Sequence, residues 1–501
     1  MSNGNAPAGL QHIFVLVMEN RAFDHLLGFS KIRGTDAETG APTQINGLTG
    51  SESNQFNGVS YTVNQPAPYI MPADPGHEFP NVLHQLCGPD ATYTPKSPYP
   101  PILNSGFVAS YVQSGGAAAP GEVMKCYSPS QLPVLTALAQ EFVVCDNWHA
   151  PLPGPTWPNR AFVHAASSAG LDHSPTTEEI VQWELADGLS FPNGTIFDAL
   201  KRKGISRRLY AGDHFPMVAA LKGVGLGDIR EYDEHFAADL QQPSYPYSYI
   251  FIEPSYDTEN HYRNGTSMHP LGDVRNGEKL IKSTYEALRN SAYWDSSLLI
   301  ITWDEHGGFF DHAIPPAAVA PGDTQPESAL NQLGFTFEQY GPRVPALIIS
   351  PLIPKNRIDH RLYDHSSMPA TLERWLELSP MTKRDAAAAN LLSLMSLATP
   401  RTDTPPTLPD PFTAAPPAAA TPHASPAPAV PDEVAPIQGN LPAILHSALR
   451  QDLEASPPEQ RYSILERVAS LKTRADAVQY LEEVKAKVHG SGAAAGSGGP
   501  R

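Results

Sequence analysis

Cysteine is scarce in this chain. Three of 501 residues, Cys87, Cys126 and Cys145, are too few for a disulfide framework. A Cys87–Cys126 bridge stays open, and Cys145, following Val143 and Val144, reads as a buried thiol. Long apolar runs are also missing. No stretch reaches the roughly 20 residues that cross a bilayer as a helix. The opening segment, Met1–Leu10, has neither the basic region nor the apolar core of a signal peptide. The expected location is therefore the cytoplasm, unless the chain is exported by another route or is the mature form of a longer precursor. Positive charge is in deficit as well: 34 Lys and Arg stand against 52 Asp and Glu, a net charge of −18. That balance argues against nucleic-acid binding and against strong docking on anionic membranes. It leaves room for transient contact with a membrane surface at most.

What is present is enough for a large core. The hydrophobic fraction is 41%, and the length suits one big domain with a smaller partner. Short β-rich runs recur at Ile13–Met18, Glu141–Cys145, Ser248–Ile252, Leu298–Thr302 and Ala346–Ser350. Continuous apolar strands of this kind fit a sheet buried on both faces. Helical patterns lie between them, among them Asn159–Ser168, Gly277–Asn290 and Ser366–Glu377. The alternation predicts a layered α/β domain with a largely parallel sheet over residues 1–396. Residues 397–438, rich in Pro, Ala and Thr, read as an extended linker. Residues 439–489 read as a small helical appendage, its first helix capped by Asn440. Ser456 and Thr473 open two further capping-box spacings. The Gly/Ala/Ser tail 490–501 is expected to be disordered.

The chemistry concentrates in Asp304-Glu305-His306-Gly307-Gly308-Phe309-Phe310-Asp311-His312, directly after a buried strand. Near the N-terminus another buried run ends in Glu19-Asn20-Arg21. In open α/β sheets, catalytic and metal sites lie at the carboxyl ends of strands. Glu19, Asn20, Asp304 and Glu305 would bring three carboxylates and an amide oxygen together, a set suited to Mg²⁺, Ca²⁺ or Mn²⁺ and acceptable to Zn²⁺. The bland alternative is a set of solvated loop acids. Thr156 sits in a loop braced by Pro151, Pro153, Pro155 and Pro158, just ahead of a helix. Its hydroxyl is then near a helix N-terminus, a natural anion site, and a neighbouring cation would make it a competent nucleophile. It could equally be a simple N-cap. His77, His269, His306, His312 and His365 are available for phosphoryl binding, proton transfer or metal binding.

Together these segments resemble a bacterial phosphoesterase family that holds haemolytic and non-haemolytic phospholipases C and AcpA-type acid phosphatases. Glu19-Asn20-Arg21-Ala22-Phe23-Asp24-His25 is similar to its E-N-R-S-F-D-H opening, with Ala22 for the usual Ser. Asp74-Pro75-Gly76-His77 resembles its D-P-x-H segment, and Gly154-Pro155-Thr156-Trp157-Pro158-Asn159-Arg160 its nucleophile loop. Met268-His269-Pro270, the Asp304–His312 block, Tyr340–Pro345 and Tyr363–Ser367 follow in order. The resemblance spans roughly residues 10 to 395 and leaves the C-terminal helices outside.

The resemblance implies an alkaline-phosphatase-like three-layer sandwich with a central, mostly parallel sheet. It implies one or more divalent metals held by Glu19, Asn20, Thr156, Asp304 and Glu305, where Glu305 occupies a place that can be Asp. Thr156 would be the nucleophile, and a phosphothreonine would form and be hydrolysed. His77 and His269 would bind phosphoryl oxygens or move protons, with His269 assisting the leaving alcohol, and Asn159 would join the substrate contacts. The implied activity is a phospholipase C acting on phosphatidylcholine-type diesters. The alternatives are a broad acid phosphatase and a non-catalytic scaffold that kept the fold. A choline head group would favour an aromatic cage, for which Trp148, Trp157, Tyr210 and Tyr256 are available.

Overall fold

Two neighbouring strands that end level with each other create the site. In chain order the strands are β1 (His12–Met18), β2 (Arg33–Asp36), β3 (Pro42–Gln44), β4 (Ser53–Phe56), β5 (Val59–Thr62), β6 (Val143–Cys145), β7 (Arg207–Ala211), β8 (Ile229–Glu231), β9 (Tyr249–Glu253), β10 (Ser297–Trp303), β11 (Ala346–Ile349) and β12 (Arg357–Asp359). The computed structural model describes residues 9–185, 188–323, 329–412 and 430–495. Ten strands form one sheet in the order β3-β2-β12-β6-β11-β10-β1-β9-β7-β8, and β4 and β5 make a separate hairpin. Within the large sheet β11 and β3 run antiparallel to their neighbours, and the other pairings are parallel.

β1 and β10 lie side by side in parallel, with Met18 opposite Trp303. Both strands are buried along their whole length. Ile13, Phe14, Val15, Leu16 and Val17 contribute about 1.5–3 kcal/mol each on burial. That apolar anchorage offsets the cost of holding acids without water at the strand ends.

All five apolar runs become strands. To the large sheet the structure adds β2, β3, β7, β8 and β12, and beside it the hairpin β4–β5, none of which the apolar pattern announces. β2 is Arg-Gly-Thr-Asp and β3 Pro-Thr-Gln, both largely solvent-facing. Helices cover the sheet, notably Val274–Arg289, capped by Asp273, and Ser367–Leu376. Thr156–Ala165 begins earlier than its sequence pattern suggests, so Thr156 is its first residue.

The C-terminal helices Leu441–Glu454, Arg461–Ala469 and Arg474–Ala495 are docked on the large domain. Leu441, Ile444, Leu445, Ala448 and Leu449 are buried in the same core as the sheet. The third helix runs past residue 489 to Ala495, its last three residues being the helix-forming Ala493, Ala494 and Ala495. The rest of the predicted tail, 496–501, lies outside the described residues. So does 413–429 of the predicted linker, whose earlier part clings to the helix Val274–Arg289. There Tyr285 Oη donates to Pro405 O at 2.7 Å and Arg289 Nη2 to Thr404 O at 3.0 Å. All three cysteines are free, so the Cys87–Cys126 bridge does not form.

Candidate active site

Beyond Met18 and Trp303 the two chains leave the sheet together, and Asp304 N donates to Met18 O at 3.1 Å. Asn20 turns with φ +55°, and Gly307 and Gly308 with φ +65° and +74°. A Cβ on Gly307 would sit 2.2 Å from Asn20 O, so only glycine admits this approach. The turns bring Glu19, Asn20, Asp304 and Glu305 together, all fully buried. Asp304 Oδ1 accepts from Asn20 N at 3.0 Å and Glu305 N at 2.7 Å, and its Oδ2 accepts from Arg160 Nε at 2.9 Å. Asn20 Nδ2 donates to Glu305 Oε1 and, at 3.4 Å, to Thr156 Oγ1. Thr156, 2% exposed, faces this cluster from the first turn of its helix.

Two oxygens in the cluster, Glu19 Oε2 and Asn20 Oδ1, are buried without a hydrogen-bond partner. Burial and then the charge of Asp304 push Glu19 up to about 8. Burial, opposed by Arg160 and reinforced by Glu305, pushes Asp304 up to about 6. Arg160 pairs directly with Asp304 alone, and two oxygens of the cluster are left buried without a partner. The donor set Glu19, Asn20, Thr156, Asp304 and Glu305 therefore fits a divalent cation. A different cluster, Asp24, Asp311 and His312, has ligand spacing too. There the guanidinium of Arg343 takes the place a metal would fill, 2.8 Å from Asp311 Oδ1 and 3.1 Å from Asp24 Oδ1. That trio braces the turn. So does His306, whose Nε2 meets Gln85 Oε1 at 2.7 Å while Nδ1 lies 3.3 Å from Glu305 Oε2. His365 holds the carbonyl of Asp304 at 2.7 Å.

His77 and His269 lie edge to face, their ring centroids 6.4 Å apart. His77 Nδ1 donates to Pro75 O at 2.9 Å. Burial alone would lower this ring, but Glu305 and Asp74 outweigh it and hold it up at about 9. His269 goes the other way: burial, His77 and Arg21 keep it well below the usual imidazole range. Its Nδ1 accepts from Leu271 N at 3.3 Å, so the proton resides on Nε2, which lies 3.6 Å from Asp74 Oδ2. Arg21 fixes the backbone beneath by donating to Met268 O at 2.7 Å and His269 O at 3.3 Å.

Two sequence expectations need correction. Asn159 does not face substrate: its Nδ2 donates to Gly154 O and Pro155 O, both at 2.9 Å, and its Oδ1 accepts from Leu152 N at 3.1 Å. Every polar atom of the amide is used to brace the nucleophile loop. Trp148, Trp157, Tyr210 and Tyr256 form no open cage, since all four are core residues. Tyr210 bonds Asp239 at 2.8 Å, and Tyr256 carries Arg160 on its face.

The model of the Phosphoesterase family matches residues 10–379. This chain belongs to the Phosphoesterase family. It is a hydrolase acting on phosphoester bonds. Among its relatives, Non-specific phospholipase C6 of Arabidopsis thaliana is 37% identical over 422 residues, covering 80% of this chain and 75% of that protein. Non-specific phospholipase C3 of the same plant is 34% identical and covers 81% and 77%. Phospholipase C A of Mycobacterium tuberculosis is 25% identical over 449 residues and covers 81% of each. The relatives of this Phosphoesterase member thus include plant as well as bacterial proteins. A solved protein of the alkaline phosphatase superfamily from Vibrio parahaemolyticus aligns with 52% of this chain and 67% of its own at 19% identity and TM-score 0.34. That likeness is too distant to bear on the chemistry.

Two residues at this Phosphoesterase site escape sequence reasoning. Asn440, beyond the family match, sends Nδ2 to Glu19 Oε1. Its sequence signal is that of a helix N-cap, and it does hold that position, yet its side chain makes no cap bond. Arg160 stands in the nucleophile loop four residues after Thr156, one helical turn on. That spacing puts it on the same face and was the available clue.

Proposed function

We propose that the protein is a phospholipase C that cleaves phosphatidylcholine-type diesters through a phosphothreonine. One observation carries the reading: the hydroxyl of Thr156, at a helix N-terminus, lies 3.4 Å from Asn20 within the cluster of Glu19, Asp304 and Glu305. The relatives named phospholipases C support the diester over the monoester.

In this reading Thr156 Oγ1 attacks phosphorus in line. The bond to the diacylglycerol oxygen breaks, and phosphocholine stays on the threonine. The N–H groups of the helix Thr156–Ala165 and the Nε2–H of His269 meet the phosphoryl oxygens, where charge is greatest. His269 is fixed as the Nε2–H tautomer and suits hydrogen-bond donation. His77, which leaves Nε2 without a hydrogen-bond partner among the described residues, suits proton transfer. That hands to His77 the assistance to the leaving alcohol that the sequence gives to His269. His77 donates its proton to the departing oxygen and recovers one from the water that then attacks phosphorus and frees Thr156. A divalent cation on Glu19, Asn20, Thr156, Asp304 and Glu305 would favour the ionised hydroxyl and offset charge on the phosphoryl group. Zinc, calcium, magnesium and manganese all accept parts of this set.

Hydrolysis of p-nitrophenyl phosphorylcholine and of p-nitrophenyl phosphate, each with and without chelator, tests the proposal. Faster turnover of the diester, lost with chelator and restored by one of the four metals, is expected. Preference for the monoester would instead make the protein an acid phosphatase.

A further inference from the structure

Tyr262 lies face to face with His269, the ring centroids 3.4 Å apart and the planes within 5°. The backbone that places it there is unusual. Tyr262 has φ +64°, and Asp257 and His261 in the same loop have +52° and +54°. A bulky residue in the left-handed region is costly and persists only where its surroundings over-determine it. Here they do. Tyr262 N donates to Asp257 O at 2.9 Å, and Gly265 N donates to Tyr262 O at 3.2 Å. Gly272 packs so close that a Cβ on it would stand 2.6 Å from Tyr262 O. At the far end a Cβ on Gly439 would stand 3.6 Å from the Tyr262 hydroxyl, so the ring tip lies beside the backbone just before Asn440, the residue whose side chain reaches Glu19.

The backbone of Tyr262 is therefore held in place, and its ring floors the ring of His269. The other sides of that histidine are also assigned: Leu271 N–H holds Nδ1, and Asp74 Oδ2 lies 3.6 Å from Nε2. A loosened floor would let the imidazole tilt, and Nε2–H would no longer meet the phosphoryl oxygen.

We propose that Tyr262 is a positioning residue for phosphoryl transfer, acting through His269 by stacking. The proposal rests on the phospholipase C mechanism, in which His269 touches the substrate. Hydroxyl and ring have separable parts. The stack is the part that acts on His269, so phenylalanine should keep it and leucine should not.

The test is a cycle of Tyr262→Leu, Tyr262→Phe and His269→Ala, alone and combined, assayed on p-nitrophenyl phosphorylcholine and p-nitrophenyl phosphate with thermal melting alongside. Tyr262→Leu is expected to lower kcat on the order of 10²-fold with little change in KM. Tyr262→Phe should restore most of the loss. In the His269→Ala background Tyr262→Leu should cost nothing further, which a merely structural role would not produce. Wild-type kcat in Tyr262→Leu, or an equal loss in both backgrounds, would overturn the proposal and leave the function standing. Inactivity of the wild type on both esters would overturn the two together. Should Tyr262→Leu fail to fold, added imidazole gives a second readout. It should rescue His269→Ala more strongly than the double variant Tyr262→Met/His269→Ala, and equal rescue would count against the stack.

Discussion

In the proposed mechanism Thr156 would gain its reactivity from Glu19 and Asn20 and from Asp304 and Glu305, two distant parts of the chain. Thr156→Ala should therefore lower kcat on the order of 10⁴-fold or more while the melting temperature stays near wild type; retained turnover would remove Thr156 from the role. Gly307→Ala should do the opposite, since the added Cβ meets Asn20 O at 2.2 Å and the backbone has φ +65°. A loss of about 1–3 kcal/mol or more in denaturant unfolding is expected, with activity falling as Asn20 shifts. His173 offers a pH test. Its ring is 14% exposed and lies 3.0 Å from Asp172 and 3.1 Å from Glu179. Burial lowers it, but the two carboxylates raise it from 6.5 to about 9. A raised histidine contributes stability that is fully present below pH 6.5 and lost as pH rises through about 9. The melting-temperature gap between wild type and His173→Gln should be widest below pH 6.5 and close above pH 9; a gap that does not change with pH would contradict this assignment. At this scale Glu19, Asn20, Asp304 and Glu305 are legible because each pair directly follows an apolar run. Asn159 misleads because a loop amide in a nucleophile segment looks the same whether it faces substrate or backbone.

Strands buried on both faces write themselves into the sequence as unbroken apolar runs, so β1, β6, β9, β10 and β11 can be read directly. β2, β3 and β12 lie towards one edge of the sheet and are held by backbone pairing, and that leaves little trace in side-chain pattern. Pairing order is equally silent. Nothing in the runs themselves says that β1 and β10, far apart in sequence, are neighbours with Met18 opposite Trp303. The helix Leu441–Glu454 shows the same limit. Its start is readable, but its destination is not. An Asn N-cap replaced by Ala costs about 1 kcal/mol when its side chain caps. The Asn440 side chain does not cap and goes to Glu19 instead. Asn440→Ala should therefore lower kcat about tenfold and cost about 1–3 kcal/mol of stability, because Glu19 Oε1 is left buried without its partner. A drop in stability with intact kcat would return Asn440 to the role of a cap.

Taken as a whole, the molecule joins an acidic surface to an acidic interior cluster. Cations that bind the folded form alone stabilise it by mass action. Chelator should lower the melting temperature, and at least one of zinc, calcium, magnesium or manganese should raise it. An unchanged melting curve with every metal would count against the donor set. The net charge of −18 should also disfavour anionic lipid surfaces, so sedimentation with phosphatidylcholine vesicles should exceed that with phosphatidylserine vesicles. The contact of Asn440 with Glu19 joins residues 421 positions apart. A ribosome makes the chain from its N-terminus, so Glu19, Asn20 and Thr156 are synthesised long before the residue that closes over them. Glu19 gains its Asn440 partner only once residue 440 has been made and its helix has docked, so the fully hydrogen-bonded site is a late product of synthesis.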